Sequence, residues 1–220
     1  MRHCAAPACF YGAVSLPANR GLSRPLAALL RWWLERQVTQ VQALQVLLQG
    51  AGQVWRTGCL PYLQISAQNI IYQNIHLQQV TLTAEHIQVH WPFLQRKGQP
   101  FVEPITVHIQ AAMTEHNLNH SLPYLQATLR PYLQELHADI TEIQGIRIYP
   151  DGMDWQLPEQ GQLFTQVHLV APHELILCAG AAKQVRIDLG TDVQIQELKL
   201  QPGSIYLAGD LLIRPAAPTG

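Results

Sequence analysis

The alternation of apolar and polar residues that marks a half-buried strand misses a beat at the same point in four ten-residue windows of this chain. In "VTLTAEHIQV" (80–89), Val80, Leu82 and Ala84 alternate, and two polar residues then intervene before Ile87 and Val89. "LQISAQNIIY" (63–72) superimposes on it at an offset of seventeen, and "IRIYPDGMDW" (146–155) and "LKLQPGSIYL" (198–207) repeat the spacing. A strand has a side-chain period of two, so it keeps one apolar face across such a slip only by turning as a hairpin or by bending at a bulge. In the last two windows Asp151-Gly152 and Gly203-Ser204 are two-residue loop signals, which predict that Pro150 faces Met153, Ile148 faces Trp155, Pro202 faces Ile205 and Leu200 faces Leu207. The first two windows carry no Gly and leave turn and bulge open. Either outcome gives a long, strongly curved antiparallel sheet with one apolar face.

The rest of the chain supplies further strands and helices. "LSRPLAALLRWWLERQVTQV" reads as an amphipathic helix with Ser23 as N-cap, Pro25 in the first turn and Leu26, Leu29, Leu30 and Trp33 on one stripe. It is either a helix packed on the sheet or a basic, Trp-bearing helix on anionic lipid. "VQALQVLLQG" reads as a strand ending at Gly50, and the Gly- and Pro-rich stretch after it presents Trp55 beside Arg56. That pair suits a membrane interface or the plugged end of a sheet. Ile105, Val107, Ile109 and Ala111 alternate as a strand. Thr114 caps a helix holding Leu118 and Leu122, and Pro123 starts a second one with Leu125, Leu129, Leu133 and Leu136, in which Pro131 predicts a kink or break. Segments near 144–150, 153–157, 162–170, 173–178, 184–189, 192–201 and 204–214 read as a meander. The order of helix, strands, helices and strands predicts an α+β fold with little parallel pairing.

Composition narrows the function. Apolar residues make up 48% and charged residues only 13% of 220, so Gln, Asn, Thr, Ser and His carry the polar surface. A net charge of −1 argues against a nucleic-acid partner. Charge is nevertheless uneven: Arg2, Arg20, Arg24, Arg31, Arg36 and Arg56 face a single acid, Glu35, in the first 60 residues. Cys4, Cys9, Cys59 and Cys178 form no CxxC pair and read as reduced thiols of a cytosolic protein. No apolar run reaches the length of a membrane span, and Pro7 and Tyr11 spoil the start as a secretory signal. His116 and His120 have chelating spacing on a helix, but no third ligand lies near in sequence, so no metal or cofactor is expected. No nucleophile, paired-carboxylate or nucleotide motif is present, which points away from an enzyme.

The segments "LLRWWLERQV", "VWRTGCLPYLQISAQNIIYQNIHLQQVTLTAEHIQV", "PITVHIQAAMTEHNLNHSLPYLQATL" and "LAGDLLIRP" resemble, in order over about residues 22–215, the LmeA-type phospholipid-binding family. The Gln-rich composition is similar to cyanobacterial members. Glu115 matches an acid common before the Leu-Asn of the family's helix, whereas His116 and Asn117 stand where further acids are frequent. The resemblance implies a tubular lipid-binding fold in which a curved sheet wraps one or two helices and leaves an apolar channel. It divides the chain into a flexible segment 1–21, a lipid-binding domain 22–215 and a tail 216–220. On this reading the protein is cytoplasmic and peripherally membrane-associated. Leu118, Leu122, Leu125, Leu129 and Leu133 meet acyl chains, while Arg31, Trp32, Trp33, Trp55 and Arg56 meet a phospholipid or anionic membrane surface. The alternative is a non-enzymatic scaffold or assembly partner with a filled core.

Overall fold

The missed beats resolve in two different ways. In the computed structural model, which describes residues 39–50, 57–88, 103–158, 161–180 and 182–214, the first two windows lie in strands β2 (Cys59–Tyr72) and β3 (Ile75–Gln88). These pair antiparallel in one unbroken register: Leu63 faces Ala84, Ile65 faces Leu82 and Ala67 faces Val80. Neither window turns. At each slip one residue takes the left-handed conformation, Asn69 at φ 47° and His86 at φ 53°, and the facing strand slips with it. Buried Ala67 and Ile70 are thereby returned to one face, as are Ala84 and Ile87. The first slip continues into β1 (Gln40–Gln49), where Ala43 has φ 50°, the register with β2 shifts, and Asn69 Nδ2 donates to Gln42 Oε1 at 2.9 Å.

The last two windows are hairpins, with each loop one residue earlier than expected and the pairing therefore two residues away from the expected register. In β5 (Gly145–Tyr149) and β6 (Gly152–Leu157), Ile148 faces Met153 and Ile146 faces Trp155. In β10 (Val193–Gln201) and β11 (Ser204–Ile213), Leu200 faces Ile205 and Leu198 faces Leu207. Proline decides the correction. Pro150 and Pro202 occupy the first corner of each loop because the ring already holds the required φ, and at the second loop Gly203 follows at φ 73°.

All pairing is antiparallel. One sheet runs β1-β2-β3-β4-β11-β10, with β4 (Ile105–Thr114), and the other runs β5-β6-β7-β8-β9, with β7 (Gly161–Ala171), β8 (Glu174–Ala179) and β9 (Lys183–Asp188). Among the described residues the expected antiparallel sheet-plus-helix arrangement holds, but the fold is mostly β rather than clearly α+β, with two sheets in place of one and no closed barrel. The two helices expected after Thr114 are a single one, α1 (Glu115–Leu136), with Pro123 and Pro131 inside it. Both prolines are exposed, so their rings lie on the outer side of the helix and do not interrupt its packing. Thr114 caps as expected, its side chain accepting from Asn117 N at 3.1 Å.

The strands split into two sheets at α1. The free edge of β5 is saturated by side chains of the helix instead of by another strand. Asn119 Oδ1 accepts from Ile146 N and its Nδ2 donates to Ile146 O, both at 2.8 Å, so the amide reproduces a strand partner. Glu115 Oε2 accepts from Ile148 N at 2.9 Å. The β10–β11 turn completes the seam, with Gly203 N donating to Ile148 O at 3.0 Å and Gly203 O accepting from Glu115 N at 2.8 Å. Further along, Gln126 and Gln134 donate to Ile143 O and Ile140 O, which fastens the extended segment before β5. Beneath this seam lies the largest core, where Leu118, Leu122, Leu133 and Leu136 of α1 pack with Ile140, Ile143, Ile146, Ile148, Trp155, Leu157, Leu177 and Val185.

Asn119→Ala should lower the unfolding free energy by about 2 kcal/mol, because it strands a backbone donor and acceptor at a part-buried edge. Urea denaturation checks this through a reduced midpoint at unchanged slope.

Candidate functional site

The register of the six-stranded sheet assembles an apolar face that no single segment carries. One transverse row runs Leu48, Leu63, Ala84, Val107, Leu211, Val193 across the strands. The next runs Val46, Ile65, Leu82, Ile109, Gly209, Ile195, and a third runs Ala67, Val80, Ala111, Leu207, Leu198. Every position in the three rows is Ala, Val, Leu, Ile or Gly. Six strands at about 4.8 Å separation make the face roughly 24 Å wide.

Only the fourth row, Met113, Ile205 and Leu200, joins the core beneath α1. The β1–β3 part of rows one to three, with Val107, falls in two separate clusters, one around Leu60, Ala84, Ile87, Ile105 and Val107 and one around Leu44, Ala67 and Ile70. Among the described residues, no side chain of α1 takes part in either cluster. The helix reaches β3 near its start instead, where fully buried Ser121 accepts from His76 N and donates to Asn117 O, both at 2.8 Å.

The opposite face of this sheet is polar. His108 Nδ1 is hydrogen-bonded to Asp210 Oδ1, and Gln196 Nε2 donates to Asp210 Oδ2 at 2.8 Å. His108 also lines a pocket of about 250 Å³ with Glu85, His86, Glu103 and Thr106. An aspartate so placed fixes the orientation of the imidazole. Sequence reading placed His108 on the polar phase and missed its partner, which lies 102 residues away and meets it only through the β4–β11 pairing.

Of the residues singled out from sequence, Leu118, Leu122 and Leu133 are buried in the α1 core, with Leu133 at 0% exposure, and Leu125 and Leu129 pack half-buried against it. Arg31, Trp32, Trp33, Trp55 and Arg56, the helix expected from Ser23, and the segments 1–21 and 216–220 lie outside the described residues. The rings of His116 and His120 stand 4.4 Å apart, and His76 joins them at 5.4 Å from His120. Among the described residues, no group of three His, Cys, Asp or Glu is arranged to hold a metal ion, and no helix is long and apolar enough to cross a membrane. Cys59 and Cys178 are free thiols.

The large sheet thus has one apolar face and one mainly polar face, the pattern of an antiparallel sheet that turns one side away from water. The family model for LmeA-like phospholipid-binding proteins matches residues 18–218, and the chain belongs to that family. No curated protein and no solved structure matches it. Membership supports a lipid-binding role, with phospholipid as the partner.

Leu133→Ala should cost about 3 kcal/mol of stability through an unfilled cavity, whereas Leu125→Ala and Leu129→Ala should each cost about 1 kcal/mol. Thermal or urea unfolding of the three variants separates core from periphery.

Proposed function

We propose that the protein handles phospholipid peripherally at a membrane in the cytoplasm. Acyl chains lie against the three apolar rows of the six-stranded sheet, and the leucine stripe of α1, Leu118, Leu122, Leu125, Leu129 and Leu133, closes the end of the trough beside Met113 and Ile205. The observation that carries this reading is the unbroken apolar composition of the rows, together with the absence of α1 side chains from their clusters among the described residues. A surface of that size strongly favours apolar contact over water. Arg31, Trp32, Trp33, Trp55 and Arg56 meet the headgroup region, the cations drawn to anionic lipid and the indoles seated at the interface.

Native mass spectrometry of the purified protein, followed by organic extraction, tests the reading. A co-purified phospholipid that is depleted in Ile65→Gln and Leu207→Gln is the expected result. Both positions are half-buried, so these variants should remain folded. A clean ligand-free mass from a folded wild-type sample favours the second reading, a scaffold or assembly partner whose core is filled by its own side chains. The solid packing of Leu118, Leu122 and Leu133 is the observation on that side.

For the headgroup contact, Trp55→Ala with Arg56→Ala should weaken co-sedimentation with anionic vesicles about fivefold or more, since one cation near such a surface is worth about 1 kcal/mol. Unchanged sedimentation would remove this pair from the account.

A further inference from the structure

Three polar residues among those described are buried: Ser121, Thr165 and Asp154. Two are accounted for by hydrogen bonds, Ser121 to the backbone of His76 and Asn117 and Thr165 Oγ1 to Trp155 Nε1 at 2.8 Å. Asp154 is not. Only 7% of it is exposed, and no hydrogen bond or ion pair from a described residue reaches its carboxylate. Its oxygens keep some contact with solvent, so the residue presents a charge that no described side chain neutralises.

The surroundings indicate what compensates it. Asp154 lies in a cleft of about 490 Å³ on the outer face of the five-stranded sheet, together with Tyr149, Asp151, Gln162 and Phe164. Tyr149 and Phe164 are large aromatics left 38% and 41% exposed, with ring centroids 6.4 Å apart and planes tilted by 58°. The position of Phe164 is built in: a Cβ at Gly152 would stand 2.8 Å from Phe164 Cζ and 2.2 Å from Thr165 O, so only glycine lets the ring lie across β6. Arg147 stands opposite Asp154 in the β5–β6 pairing but is exposed and forms no ion pair with it.

We infer that this cleft is a binding site for an organic ammonium ion, held between the faces of Tyr149 and Phe164 with Asp154 as the compensating charge beneath and Asp151 at the rim. Two aromatic faces attract a cation lying within about 6 Å of each ring centroid, and an alkylated ammonium also loses little hydration on entering. Inorganic cations fit less well, because they prefer several oxygen ligands to ring faces. The site is on the side of the molecule away from the α1 core and does not depend on the lipid reading. Where phospholipid is the source, the cation is a choline- or ethanolamine-type headgroup. Where it is not, the same chemistry takes a free amine.

Amide NMR of the full chain titrated with choline chloride tests the site, with sodium chloride as the ionic-strength control. Saturable shifts at Gly152 and Phe164 are expected, weakened about tenfold in Asp154→Asn and about fivefold in Phe164→Leu. Arg147→Gln, which removes the nearest resident cation, should tighten binding. The spectra also report whether each variant is folded, and Phe164→Leu, altered at the surface, keeps the test decisive if Asp154→Asn is not. Non-saturable shifts in the wild type, or equal affinity in wild type and Phe164→Leu, would overturn the site. Phosphatidylcholine vesicles that displace choline from these resonances support the headgroup as source, and choline binding that such vesicles leave intact supports a soluble amine. Failure of the choline titration leaves the co-purified lipid result untouched, so the two readings fail separately.

Discussion

The seam along the edge of β5 governs the architecture. An unpaired strand edge must find partners for its N–H and C=O groups, and here α1 and the Gly203 turn supply them. Asn119 and Glu115 fix the helix against Ile146 and Ile148, while Gly203 ties the end of the large sheet to the same two residues' strand. The helix is thereby fastened along β5 of the small sheet, while Ser121 ties its start to β3 of the large one. Its leucine stripe fills that core and leaves rows one to three of the large sheet to side chains of their own strands, among the described residues.

This division gives the two halves different characters. The small sheet and α1 form a filled core centred on Leu133, Ile140 and Ile146, in which lost volume is felt directly. The large sheet carries a face of Ala, Val, Leu and Ile, on which Ala67, Ala84, Val107 and Ile195 are buried and most other positions half-buried, and Ala43, Asn69 and His86 take left-handed conformations within its strands. The seam thus lets one helix anchor the small sheet while, among the described residues, its side chains stay out of the two clusters on the large sheet.

Much of this was legible in the sequence. The meander from 144 to 214 falls within a residue or two of the observed strands, because period-two alternation survives wherever one face is buried. The missed beat was correctly located at all four windows. Its outcome was misjudged at the hairpins, by one residue in the loop and two in the pairing, where Pro150 and Pro202 outweighed the glycine signal. The two prolines of α1 also misled, since the packing and edge bonds of Leu118, Asn119, Leu133 and Leu136 hold one helix through Pro123 and Pro131, both exposed on its outer side. The candidate site was legible in part: the apolar phase of each strand could be read, but not the joining of those phases into rows.

The sequence by itself determined which residues are strand, which side of each strand is apolar, and that the chain belongs with phospholipid binders. These properties are local or additive, written in the spacing of neighbouring residues. Tertiary structure alone decided that β4 pairs with β11, a contact between residues about a hundred positions apart that brings Asp210 to His108 and completes the apolar rows. It alone revealed that Asp154 is buried without a partner between two exposed rings. The reason is physical: burial and pairing are properties of what the folded chain brings near, and an isolated aspartate in a hairpin reads the same whether it stands free or beside two aromatic rings.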